Sequence, residues 1–193
     1  MPSAPRIDFT NQFLIAMPGM ADETFAGTVV YLCEHNEQGA LGLVINKPID
    51  IKLRNLFEKV ELKLGQEALA DQPVYFGGPV QTERGFVLHE KLGDGDSHYN
   101  STLSVPGGLA MTTSKDVLEA MADGAGPRRV LITLGYSGWQ AGQLEDEIGR
   151  NGWLTVDADP TVIFDTPIEQ RYDRAVSLLG IDPRMLTQEA GHA

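Results

Sequence analysis

In the run Tyr31-Leu32-Cys33-Glu34-His35-Asn36-Glu37-Gln38-Gly39-Ala40-Leu41-Gly42-Leu43-Val44-Ile45-Asn46-Lys47-Pro48, a thiol, a carboxylate, an imidazole and a carboxamide stand side by side. A thiol next to an imidazole is the raw material of nucleophilic catalysis, if the thiol sits in an electropositive, partly open setting. The same four groups can instead hydrogen-bond a ligand or, with His89, offer metal ligands. Against the first reading, Cys33 closes an apolar stretch and is expected to be a buried, inert thiol. Against the second, Glu34, His35 and Asn36 suit an Asx-type turn held by its own side-chain hydrogen bonds. Zinc wants three or four ligands at recognisable spacing, and no such set is written here.

Other segments carry weaker signals. Gly135-Tyr136-Ser137-Gly138-Trp139 resembles a nucleophile elbow, with a buried strand before it and a helix after, but the fifth position of G-x-S-x-G is Trp139. Ser137 is therefore expected to be an N-cap, and the glycine-rich helix start after it a weak anion receptor. Gly77-Gly78-Pro79 and Pro106-Gly107-Gly108 lack the Walker lysine and the dinucleotide spacing, and read as turns. Asp94, Asp96 and His98 do not follow a calcium loop. Glu145-Asp146-Glu147 reads as a solvated helix face, and Lys47, in Asn46-Lys47-Pro48, as a solvated amine.

The elements that must position these groups follow from periodicity. Thr28 to Cys33 and Leu41 to Ile45 are unbroken apolar runs, so both are strands covered on two faces; Phe13 to Met17 is a shorter strand. Asp50 is placed to cap a helix with Leu53, Leu56, Phe57 and Val60 on one side. Val74 to Phe76 and Phe86 to Leu88 read as strands, Lys91 to Asn100 as a polar loop, and Thr102 to Val105 as pairing with Leu109 to Thr112. Thr113-Ser114-Lys115-Asp116 opens a helix with capping spacing, with Val117, Leu118 and Met121 inward and Gly124 as its stop. Val130 to Leu134 is a buried strand, followed by a helix from Ser137 to about Arg150. Trp153 to Val156 and Val162 to Phe164 read as late strands. A final helix has Thr166 as N-cap, Pro167 first, and Tyr172, Ala175, Val176 and Leu179 as its stripe.

Composition bounds the function classes. The chain has 193 residues, 42% hydrophobic and 22% charged, which suits one globular domain. Residues 1–12, with Pro2 and Pro5, read as a loose leader, and 13–193 as a single domain. No apolar run approaches the ~20 residues of a membrane helix, and the N-terminus lacks a signal-peptide pattern. The net charge of −12, from 27 acids and 15 bases, repels nucleic acid and anionic lipid. A single cysteine excludes an internal disulfide and fits a reducing compartment, hence the cytoplasm.

Several stretches together resemble one family. They are Leu14-Ile15-Ala16-Met17-Pro18, Cys33 through Pro48, Gly77-Gly78-Pro79, Arg84-Gly85-Phe86-Val87-Leu88-His89, Thr112 through Leu118, Gly135-Tyr136 with Trp139, Gly142-Gln143-Leu144-Glu145 and Asn151-x-Trp153-Leu154. In this order they resemble the YqgE/AlgH family of bacterial proteins (UPF0301, DUF179), from about Phe13 to the C-terminus. The resemblance implies an α+β fold with a curved, mostly antiparallel, barrel-like sheet flanked by helices, and a bacterial cytoplasmic protein. Some relatives carry the label of transcriptional regulator. The family has no assigned activity, and no catalytic set, metal or cofactor is carried across. The leading expectation is a noncatalytic binding or regulatory protein for a small molecule or protein partner, with Glu34, His35, Asn36, Asn46, His89, Tyr136 and Trp139 around its ligand. The alternatives are a small-molecule enzyme using Cys33 or His35, and a DNA-binding regulator, which lacks a helix-turn-helix signature or basic stripe here.

Overall fold

The computed structural model describes residues 7–65, 67–91 and 99–182. Most of the expected polar loop Lys91 to Asn100, with Asp94, Asp96 and His98, and the terminal Gly191-His192-Ala193 lie outside the described residues. Strands β1 (Gln12–Ala16), β2 (Val29–Asn36), β3 (Gly39–Val44) and β4 (Pro48–Lys52) precede helices α1 (Leu53–Lys59) and α2 (Glu67–Ala70). Then come β5 (Pro73–Phe76), β6 (Val80–Glu90), β7 (Thr102–Val105), β8 (Leu109–Thr112) and α3 (Asp116–Ala122). The last described elements are β9 (Val130–Gln140), α4 (Gln143–Gly149), β10 (Trp153–Asp157), α5 (Pro160–Phe164) and α6 (Arg171–Ser177).

The described strands form one sheet in the order β10-β1-β2-β3-β9-β6-β8-β7, with β5 bridging β4 and β9. All pairings are antiparallel except β5 with β9. The fold is thus the expected α+β arrangement, a curved and mostly antiparallel sheet flanked by helices. No helix among the described residues is long and apolar enough to cross a membrane.

The unbroken apolar strands have a simple cause. On β1 and β2, Phe13, Ile15, Val29, Tyr31 and Cys33 enter one core cluster that α5 and α6 close. The alternate residues Leu14, Ala16, Val30 and Leu32 enter a second cluster with Leu144 of α4 and both tryptophans. A third cluster joins Leu53 and Phe57 of α1, Val117 and Met121 of α3, and Val87, Val130 and Ile132 of the sheet. Successive side chains point to opposite faces, so a strand between two layers must be apolar at every position.

The chain crosses β9. Thr133 and Leu134 pair with Tyr75 and Phe76 of β5 on one side and with Phe86 and Gly85 of β6 on the other. Between Phe76 and Val80 the chain therefore passes over the β9 backbone at Gly77-Gly78-Pro79. A Cβ on Gly78 would lie 2.1 Å from the Tyr136 carbonyl carbon, and one on Gly135 would lie 2.3 Å from the Gly78 oxygen. The glycines read as a turn signal are in fact a backbone-on-backbone crossing.

Five local expectations are corrected. The helix expected from Ser137 starts only at Gln143, because β9 continues to Gln140, paired with β3. Ser137 is buried in that strand and its hydroxyl donates to the Gly77 carbonyl at 3.0 Å, so it caps nothing. Val162 to Phe164 is helical, within α5, started by Asp159, whose carboxylate accepts the Thr161 N–H at 3.0 Å, and by Pro160 at its first position. Asp50 lies in β4 rather than at a cap, and Lys52 holds the N-cap of α1. Thr166 does not cap the last helix: its hydroxyl donates to the Thr161 carbonyl, closing α5, and a 3-10 turn at Ile168–Gln170 leads into α6.

Candidate functional site

The β2–β3 hairpin turns at Asn36 to Gly39, where the Asn36 side-chain oxygen accepts the Gln38 N–H at 2.8 Å. This is the Asx turn that the sequence suggested. Just before it the register slips between Leu32 and Glu34, leaving Cys33 without a partner on β3. Such a bulge inserts one residue and reverses the facing of all that follow. Cys33 therefore sits in the first core cluster, 2% exposed, while His35 turns to the opposite face, under α4, and Glu34 and Asn36 remain exposed.

The bulge separates the thiol from the imidazole. Burial pushes the Cys33 thiol up, with the Glu34 carboxylate adding to it. A thiol is a nucleophile only as thiolate, so Cys33 is expected to resist iodoacetamide at neutral pH in the folded protein and to react once the chain is unfolded in urea. Rapid alkylation of the native state, read by intact mass, would restore Cys33 as a candidate nucleophile.

His35 is built into the fold. Its Nδ1 accepts the Phe9 N–H at 3.0 Å, so its proton is on Nε2, which donates to the Glu145 carboxylate at 3.1 Å. The Phe9 ring stacks on it with centroids 5.4 Å apart. Both ring nitrogens are thereby committed to holding the N-terminal segment and α4 against the hairpin.

Glu34, Asn36, Leu41, Tyr136, Gln140 and Gln143 converge on an open groove of about 470 Å³, within the range of small-molecule sites. Its floor is the end of β9 where β6 has bulged away, between Val80 and Gly85. Tyr136 is held edge-on to Phe86 at 5.4 Å. Glu34 is the one carboxylate in the described lining, and the rest is amide, phenol and apolar. This is a set of hydrogen-bonding groups with a negative bias. Among the described residues its lining contains no thiol, imidazole or primary amine.

Trp139 also borders the groove, yet its indole packs in the second cluster and donates to Glu147 at 3.1 Å. The Trp153 indole donates to the same carboxylate oxygen at 3.0 Å, and Gln143 donates to the other at 2.8 Å. Glu145 and Glu147 are therefore side-chain anchors rather than a solvated face. The i, i+4 spacing of Gln143 and Glu147 was the available signal, but their tryptophan partners are set by the sheet.

Two expected neighbours lie elsewhere. Asn46 accepts the Val29 N–H at 2.9 Å and donates to the Gly27 carbonyl at 3.0 Å, stapling the end of β3 to the turn before β2. His89 is paired with Val130, whereas His35 aligns through Ala40 with Trp139. Nine residues of β9 separate these positions, about 30 Å at strand rise along the curved strand, so the two imidazoles share no site. His89 is fully buried; its Nδ1–H donates to the Glu90 carbonyl and its Nε2 accepts from the Thr112 hydroxyl, both at 2.8 Å. Burial pushes its pKa down, so the ring stays neutral. Among the described residues no three His, Cys, Asp or Glu side chains are grouped as metal ligands.

Comparison with known proteins places this geometry. The family model described as AlgH-like (DUF179) matches residues 13–184. A UPF0301 protein of Ralstonia nicotianae is 70% identical, over 100% of this chain and 98% of its own length. A UPF0301 protein of Cupriavidus pinatubonensis is likewise 70% identical, over 97% and 96%. The solution structure of the AlgH protein from Pseudomonas aeruginosa is similar at a TM-score of 0.78 and 51% identity, covering 100% of both chains. A crystal structure of the protein DIP2367 from Corynebacterium diphtheriae shares the fold at a TM-score of 0.71 and 19% identity, over 91% of this chain and 89% of that one. This chain belongs to the AlgH-like, UPF0301 family.

Proposed function

We propose that this chain is a noncatalytic binding or regulatory protein of the bacterial cytoplasm, and that the groove between the β2–β3 hairpin and the end of β9 holds its ligand. The observation that carries this reading is the convergence of Glu34, Asn36, Tyr136 and Gln140, from separate segments, on one open cavity of small-molecule size. The negative bias of Glu34 and the net charge of −12 favour a neutral or cationic small molecule. The enzyme reading has less support, because the thiol is buried away from the groove and His35 is committed on both nitrogens. Direct DNA binding is opposed by the charge. Residues 13–193 are taken as one domain behind a leader of residues 1–12, from which Phe9 is seated on His35.

The test is native mass spectrometry of freshly purified protein against its denatured mass. We expect a mass excess that disappears on denaturation, and at least a tenfold loss of its occupancy in Glu34→Gln and Gln140→Ala, both exposed side chains. An excess retained in full by both variants would move the ligand off this groove. A bare wild-type protein would replace the small molecule with a protein partner.

A further inference from the structure

Arg171 opens α6 and is, among the described residues, the one lysine or arginine that is buried, at 5% exposure. Its Nε donates to the Thr166 carbonyl at 2.9 Å and its Nη1 to the Ile45 carbonyl at 2.6 Å. The guanidinium lies 5.2 Å from the centre of the Tyr75 ring. Carbonyls and an aromatic face stabilise a cation but do not neutralise it. The other arginines that form ion pairs are more exposed: Arg54 with Asp71, Arg129 with Glu90 and Asp165, and Arg150 with Asp146. The chain has 27 acidic residues, yet no carboxylate among the described residues pairs with the arginine it buries. Two carbonyls and an aromatic face hold this charge without cancelling it, which leaves it able to take an anionic partner.

A cleft of about 330 Å³ is lined in part by Arg171. Leu131, Ile163 and Ile168 give it apolar walls, and the exposed Gln72 stands at its rim. Apart from the neighbouring Tyr75 phenol, Nη2 has no acceptor among the described residues and is not sealed from solvent. Arg171 thus brings to a cleft of mixed polar and apolar lining a fixed positive charge and donor capacity that the Thr166 and Ile45 carbonyls do not use, and the planar guanidinium fork matches a carboxylate.

We propose that Arg171 anchors a second binding site, which takes the carboxylate of a small monocarboxylic acid with an apolar body. A phosphate dianion fits less well, because the cleft offers it no second free cation. Arg129 is engaged by two carboxylates, and one of them, Asp165, borders the cleft and repels a second negative charge. The site is separate from the hairpin groove and stands whether or not that groove binds anything.

The test is a ¹H–¹⁵N titration of the full chain with benzoate, its neutral isostere benzamide, and inorganic phosphate at constant ionic strength. Benzoate is expected to give saturable shifts in the amides of residues 163–171, with a Kd of about 1 mM. Benzamide and phosphate should bind at least tenfold more weakly. Gln72→Glu places a carboxylate at the rim through an exposed side chain, and should weaken benzoate several-fold while leaving the melting temperature unchanged. Benzamide binding as well as benzoate would remove the charge recognition, and phosphate binding as well would remove the monocarboxylate assignment. The proposal is also overturned by shifts confined elsewhere, by no saturable response at tenfold above about 1 mM, or by an unaltered affinity in Gln72→Glu.

Discussion

Gly78→Ala is expected to destabilise the protein by about 3 kcal/mol or more, enough to leave much of a marginally stable domain unfolded. The added methyl would stand 2.1 Å, 2.2 Å and 2.3 Å from the Tyr136 carbonyl carbon, its oxygen and the Ser137 nitrogen. All three are backbone atoms of a central strand paired with β3, so no side-chain rotation relieves the contact. The residue also sits at φ +155°, outside the comfortable range of an L side chain. Gly135→Ala, with φ +81° and the Gly78 oxygen 2.3 Å away, should be comparably severe. Gly85→Ala is the control, since a methyl there meets nothing within 4 Å. Urea midpoints of the three variants provide the test. A Gly78→Ala midpoint equal to that of Gly85→Ala would mean that the two chain segments do not cross as described.

Glu147→Ala is expected to be the most damaging change to a partly exposed side chain. It removes the acceptor of two indole N–H groups, from Trp139 and Trp153, which are 6% and 3% exposed. Each buried donor left without a partner costs about 1–3 kcal/mol, so a loss of about 3 kcal/mol in all is expected. Glu147→Gln keeps one carbonyl oxygen and should recover much of this. The two tryptophans are edge to face at 6.1 Å, with Phe25 against both, so their emission reports the same site. Urea unfolding followed by tryptophan fluorescence measures both effects. Equal midpoints for wild type and Glu147→Ala would show that the indoles do not depend on the carboxylate.

These two sites also show where sequence reasoning reached its range. Gly77-Gly78-Pro79 was visible as a break, but a turn glycine and a crossing glycine look alike in one dimension. What distinguishes them is the strand that lies underneath, about 57 residues later in the chain. Ser137, read as an N-cap, places the start of a helix there. In three dimensions Gly135 lets β9 run on beneath the crossing, through Ser137 and Trp139 to Gln140. Glu147 looked solvated because its i, i+4 neighbours are polar, and its two tryptophan partners come from β9 and from the start of β10.

For the candidate site, residue types were legible and grouping was not. Glu34, Asn36, Tyr136 and Trp139 border one groove, while His35, Asn46 and His89 make structural hydrogen bonds elsewhere. The separation of Cys33 from His35 depends on a single extra residue in β2, opposite β3. A bulge reverses facing without leaving any mark in hydrophobic periodicity.

The family, the fold class and most strands are legible in the residues alone. Continuous apolar runs and glycine stops act over a few residues, and their physics is local. Which polar groups meet, the burial of Arg171 with no carboxylate partner among the described residues, and the length of β9 beyond its apolar stretch emerge only from the fold. Those outcomes depend on sheet register and chain crossing, which are set by packing between residues far apart in the chain.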